Sequence, residues 1–253
     1  MPMRMSLPLL LAIVIVAGAA AAVADAPDTK EAPIPVLVFS RTAGFRHASI
    51  AAGTAALRAR PELKVTTTED PAMFTVAGLE PYEVVVFLNT TGDVLNAAQQ
   101  SAFETFIRKG GGFVGVHAAA DTEYEWPWYG RMVGAYFKGH PAVQPARIRV
   151  IDGDHCSTEH LPVTWERRDE WYDYRAVPDG VRVLLELDET SYSGGGMGEP
   201  HPIAWCHAFD GGRAWYTGGG HTDEAYAETA FMQHLVGGIR WAAGQPASPP
   251  GSE

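Results

Sequence analysis

The chain has 253 residues, 46% hydrophobic, 19% charged and 10% aromatic, with a formal net charge of −11. This is a globular composition, neither disordered nor collagenous. An acidic balance with no run of Lys and Arg offers no footprint for phosphate backbones or anionic lipid, which argues against nucleic-acid and membrane partners.

Met1 to Ala24 carries Arg4, an apolar run over Leu7–Ala22 and a small-x-small Ala22-Val23-Ala24. The pattern predicts a secretory signal peptide cleaved near Ala24, because the run is short for a span of about 20 apolar residues. Cleavage removes Arg4 and no acid, moving the charge from −11 to −12. The expected location is periplasmic or extracellular. No Cys follows the cleavage site, which argues against a lipoprotein. Export permits a Cys156–Cys206 disulfide, with two buried thiols as the alternative.

Residues 25–35 are polar with three prolines and read as a tether. Ile34–Ser40 is an apolar run suited to a strand buried on both faces, Lys64–Thr68 reads as a second strand, Tyr82–Leu88, apolar except Glu83, as a third, and Phe113–Val116 as a fourth. Between them, Ala48–Arg60 and Asn96–Lys109 have helical spacing, the second stopped by Gly110–Gly112. Apolar strands alternating with amphipathic helices predict a mainly parallel sheet covered on both faces. The second half is richer in strands, at Arg147–Ile151, Val163–Trp165, Val181–Leu187, His201–Phe209 and Arg213–Thr217. Asp210-Gly211-Gly212 turns between the last two. Glu224–Ala243 reads as a closing helix and residues 244–253 as a disordered tail. No repeat or linker divides residues 36–243, which read as one domain.

Parallel α/β sheets bind ligands beyond the carboxyl ends of their strands. Three of those ends deliver a histidine: His47, His117 and His221. Each lies near Gly or Ala that lets a ligand approach, so they are expected to face one pocket about 10 Å across. Asp121 is expected on the first helical turn after His117, where the helix dipole favours a carboxylate. Glu170, between aromatics, could be tuned for proton transfer or be a solvated edge carboxylate. Trp128 and Tyr129 could stack on a sugar or lie in the core. His207 is expected to face out or pack structurally, and His155, His160 and His234 read as surface residues.

The segments TAGFRHASI, GGGFVGVHAAAD, WYGRMVGAYFKGHP, DEWYDY and HPIAWCHAFDGGRAWYTGGGHTDEAY resemble the ThuA-like family. That family is associated with the use of trehalose and related disaccharides, and the likeness runs from about Val36 to Ala243. It implies a flavodoxin-like three-layer α/β sandwich, similar to class I glutamine amidotransferases. An amidotransferase, however, needs a nucleophilic Cys in the turn after the central strand, where this chain has His117. The later motif reads His221-Thr222-Asp223-Glu224, so glutaminase chemistry is excluded for want of a thiolate.

The leading expectation is an exported enzyme acting on a small carbohydrate, a disaccharide or keto-sugar derivative. His117 and His221 would be its acid/base pair. Asp121 or Glu224 would orient an imidazole, Glu170 would join the catalytic set, and Arg46, His47, Trp128, Tyr129 and His140 would hold the sugar. The alternatives are a noncatalytic carbohydrate-binding module and a metal-dependent hydrolase of another small substrate. The histidines suit a divalent ion such as zinc, although no HExxH or similar dense ligand motif is present.

Overall fold

The computed structural model describes Met1 and residues 32–245. The predicted signal peptide, most of the tether and residues 246–253 of the tail lie outside the described residues.

Apolar runs become strands where sequence periodicity places them. The strands are β1 (Ile34–Phe39), β2 (Leu63–Thr68), β3 (Val84–Leu88), β4 (Gly112–Val116), β5 (Phe137–Gly139) and β6 (Gln144–Val150). They continue with β7 (Thr164–Asp169), β8 (Asp173–Tyr174), β9 (Arg182–Asp188), β10 (Pro202–Phe209) and β11 (Gly212–Thr217). The helices are α1 (Ile50–Arg58), α2 (Val76–Leu79), α3 (Ala97–Arg108), α4 (Pro127–Val133) and α5 (Thr229–Ala242). A nine-stranded sheet runs β2-β1-β3-β4-β11-β10-β9-β6-β7. It is parallel from β2 through β11 and antiparallel beyond. Every residue of β3 and β4 is buried, as strands covered on both faces require.

Helices cover the two faces. Phe103 of α3 stacks on Phe87 at 5.5 Å, and the Trp205 indole donates to Val133 O of α4. On the other face Trp215 packs against α5, where a side chain at Gly238 would meet the indole at 2.4 Å. The sheet then curls over α5: Trp165 and Arg167 of β7 lie against His234 and Phe231. The observed class is the expected mixed α/β sandwich with extra antiparallel strands.

Several local readings differ from the structure. The closing helix begins at Thr229, after a 3-10 turn over Glu224–Ala227. Glu228 is extended there, its carboxylate drawn to Trp165 Nε1 and Arg167 Nε. The strands β5 and β8 and the helix α4 are too short for periodicity to reveal. Pro35 belongs to β1 rather than to the tether.

His155 and His234 are buried, not surface residues, and His160 is half-buried with Nε2 donating to Ala230 O. His207 is half-buried and donates from Nε2 to Met132 O. Cys156 and Cys206 are free thiols. Burial pushes the Cys206 thiol up to about 12, and its Sγ lies 3.6 Å from His155 Nε2.

His234 donates from Nδ1 to Ser157 O at 2.8 Å and has Thr217 Oγ1 at 3.3 Å from Nε2, an arrangement that suits the neutral ring. Burial lowers its pKa to about 3 and that of His155 to about 4. As pH falls below about 6.5 the unfolded chain takes up these protons and the fold does not, so stability falls with pH. Between pH 7.5 and 5 each group should cost about 2 kcal/mol. Urea unfolding at the two pH values measures this, and His234→Gln should remove that residue's share.

Candidate functional site

The site forms where β1, β3, β4 and β11 end. His117 follows β4 directly and sits in the left-handed region at φ 47°. Asn89, directly after β3, does the same at φ 52°. A residue other than glycine held there carries strain and needs support from its surroundings. That support is present. Tyr216 Oη donates to His117 O at 2.8 Å, and Nδ1 of the ring donates to Gly218 O at 2.8 Å. Gly218 has no room for a side chain, since a Cβ would meet Ile203 Cδ1 at 2.4 Å and Tyr174 Oη at 2.6 Å. Asn89 Nδ2 ties Ser49 Oγ and Gly220 O together at 3.1 Å each, joining the loop after β1 to the loop after β11.

His47, His117 and His221 meet with all three ring-centroid separations at 5.1 Å. With Nδ1 committed to that carbonyl, His117 turns Nε2 toward Glu170 Oε2, 3.3 Å away, and His221 Nδ1, 3.2 Å away. Glu170 Oε2 also lies 3.1 Å from His221 Nδ1, while Oε1 lies 3.0 Å from His140 Nδ1. Glu170 Oε2 therefore faces two imidazoles at once. His47 is 4% exposed and its buried Nδ1 has no hydrogen-bond partner. One donor atom from each of His47, His117, Glu170 and His221 lies within 4.8 Å of every other.

Electrostatics follows from this crowding. Burial and the repulsion of His117 and His221 push His47 down to about 3, so its ring is neutral. Burial alone would raise the Glu170 carboxyl, but hydrogen bonds to His117 and His221 and their charges hold it well below the usual carboxylate range. The same hydrogen bond raises His221. Tyr172 closes the floor, its ring 4.0 Å from that of His117.

Asp169, fully buried at the end of β7, holds the frame. Its Oδ1 accepts from Glu170 N and His221 N at 3.0 Å each. Its Oδ2 accepts from Gly220 N at 2.8 Å and pairs with Arg167 at 2.8 Å. Sequence reasoning missed it. The signal available was an acid directly before Glu170, indistinguishable from an exposed strand-end carboxylate.

The other expected residues are placed differently. Trp128 and Tyr129 are core: Trp128 Nε1 donates to Asp210, Tyr129 Oη donates to Ala119 O, and no ring face remains for a sugar. Exposed Arg46 is held bidentately by Glu69 at 2.7 and 3.1 Å. Glu224 is exposed on its 3-10 turn and contacts neither imidazole. Asp121 ends a short 3-10 turn rather than starting a helix; Tyr124 Oη donates to it at 2.5 Å, and burial raises its carboxyl. A second convergence, Asp173, Glu189 and His201, is a loop staple, with Glu189 Oε1 accepting from Met197 N, Gly198 N and His201 Nδ1.

Two substitutions test this frame. Asp169→Asn leaves Arg167 short of a buried partner and should cost about 3–5 kcal/mol of stability by denaturant unfolding. Gly218→Ala should displace the carbonyl that orients His117, read as a shift of the His117 imidazole resonances by NMR.

A family model described as ThuA, trehalose utilisation, matches residues 35–242. No curated protein matches the chain. Among solved structures, a ThuA-like protein from Bacteroides uniformis is 26% identical with a TM-score of 0.71, over 84% of this chain and 93% of that one. Another from Parabacteroides merdae is 21% identical with a TM-score of 0.74, over 87% of this chain and 94% of that one. A β-galactosidase from Bacillus circulans sp. alkalophilus shares the fold alone, at 15% identity and TM-score 0.56, over 85% of this chain and 32% of that one. With its family model matched over most of its length, this chain belongs to the ThuA family, whose described role is trehalose utilisation.

Proposed function

We propose that this protein is an exported enzyme of carbohydrate utilisation whose His47, His117, Glu170 and His221 hold one divalent cation such as zinc. The observation that carries the reading is the convergence of four donor atoms, from four separate chain segments, within 4.8 Å. Imidazole and carboxylate are the ligands that a borderline divalent ion takes. Neutral His47 offers a lone pair, His117 presents Nε2 to the cluster because Nδ1 is committed to Gly218 O, and Glu170 offers negative charge. The Gly218 carbonyl and the Asp169 carboxylate act as the outer partners that orient such ligands.

When bound, the ion supplies charge that polarises a sugar oxygen or acidifies a water. The protein's own groups do the rest. His140, exposed at the mouth with Nδ1 donating to Pro141 O at 2.9 Å and lying 3.0 Å from Glu170 Oε1, exchanges a proton between the sugar and solvent. Tyr172 keeps water from beneath His117. A metal-free acid/base reaction by His117 and His221 is the second reading, favoured by the raised His221.

Elemental analysis of the purified protein should find about one divalent metal per chain. His117→Ala and His221→Ala should each lower that content at least tenfold. Protein that stays metal-free after incubation with zinc, manganese or iron overturns the cation. Turnover of disaccharides and their keto forms should vanish on chelation, whereas full activity after chelation selects the acid/base reading. Export rests on the Met1–Ala24 pattern, and N-terminal sequencing of the mature protein should begin at Asp25.

A further inference from the structure

Among the described residues Phe45 is the one exposed aromatic side chain, 66% accessible, and it stands beside the site. Its ring meets that of His47 edge to face at 4.9 Å. Leaving such a ring in water forfeits much of the roughly 1.5–3 kcal/mol its burial would contribute. A mobile loop could hide it. This loop is instead pinned on both sides of the residue. Ala43 N donates to Thr91 O at 2.7 Å, Gly44 N donates to Thr91 Oγ1 at 3.2 Å, and that hydroxyl donates to Phe45 O at 2.8 Å. Arg46, next in sequence, is clamped by Glu69. The backbone thus holds an apolar ring outward, edge to face with His47, itself one of the candidate metal ligands.

The opposite wall is aromatic too. Phe137 and His140 pack on Tyr172 at 4.3 and 5.9 Å, and Tyr172 lies on His117. A line of rings therefore runs Phe45, His47, His117, Tyr172, Phe137, with the donor cluster in its middle. The polar groups sit at the centre and the exposed apolar face at one end. A ligand matching this order has an oxygen-rich unit at the cluster and a further ring with an apolar C–H face beyond it.

We propose that Phe45 is a specificity-determining platform that stacks the second ring of a disaccharide while the first occupies the His/Glu centre. The proposal rests on the carbohydrate reading above. It separates that reading into two subsites: the centre binds any sugar unit, and Phe45 contributes only when a second ring is present. Phe45 contacts no reacting atom. Its loss acts on affinity for the longer ligand and removes none of the four donor side chains, His47 keeping its ring contacts with His117 and His221.

The test is calorimetric titration of zinc-loaded protein with trehalose, maltose and glucose, with metal content measured in every sample. Phe45→Ala should weaken disaccharide binding about tenfold, what about 1.4 kcal/mol of ring contact amounts to. Glucose affinity and metal content should stay unchanged, and Phe45→Trp should restore the disaccharide affinity. Equal weakening for glucose and disaccharides, or none for either, overturns the platform and leaves the carbohydrate reading standing. So does a change of oligomeric state on size-exclusion chromatography with sugar binding intact, which would make Phe45 a contact between copies. Wild-type protein that binds none of the three sugars overturns both the platform and the reading beneath it.

Discussion

The Asp169 carboxylate is the interaction on which the site depends. It is fully buried, yet four donors surround it: the backbone N–H groups of Glu170, Gly220 and His221, and the Arg167 guanidinium. A buried charge is tolerable only when paired and hydrogen-bonded to this degree. Satisfying it forces the end of β7 against the loop after β11, although these strands lie far apart in the sheet order. Glu170 and His221 therefore arrive together because their backbones share one acceptor.

Around that anchor the histidine cluster is held against its own repulsion. His117 occupies a strained backbone conformation, and His47 is buried with an unpartnered nitrogen. Strain of this kind persists only where the surroundings over-determine it. Here the Gly218 carbonyl, the Tyr216 hydroxyl and the Tyr172 ring fix His117 from three directions. The aromatic-rich sheet behind it, with Trp205 stacked on Tyr216 at 4.5 Å, keeps those partners in place. Rigidity in the core thus becomes geometry at the rim.

The parallel half was legible because β1, β3 and β4 are local apolar runs, β2 is rich in β-branched residues, and each main helix is a local period. His47, His117 and His221 were legible as a group because strand ends on a parallel sheet share one rim. Trp128 and Tyr129 show the limit, since an aromatic beside polar residues reads alike whether it faces a ligand or Phe103 and Phe87. Phe45 is the converse, an aromatic inside a motif whose exposure no local pattern signals. His234 looked like a surface residue because its partners, Ser157 O and Thr217 Oγ1, come from packing rather than from sequence neighbours, and His155 because Cys206 and Trp241, which pack on it, are equally distant in the chain.

By itself the sequence determined the order of strands and helices, the parallel sheet and the rim from which histidines project, because hydrophobic periodicity and the right-handed βαβ connection act locally. Only the tertiary structure decided which acids join those histidines. Glu170 reaches them from a distant antiparallel strand, while Asp121 and Glu224, nearer in sequence, turn elsewhere. The reason is that a buried carboxylate goes where donors converge, and the convergence at Asp169 exists only once β7 has closed over α5.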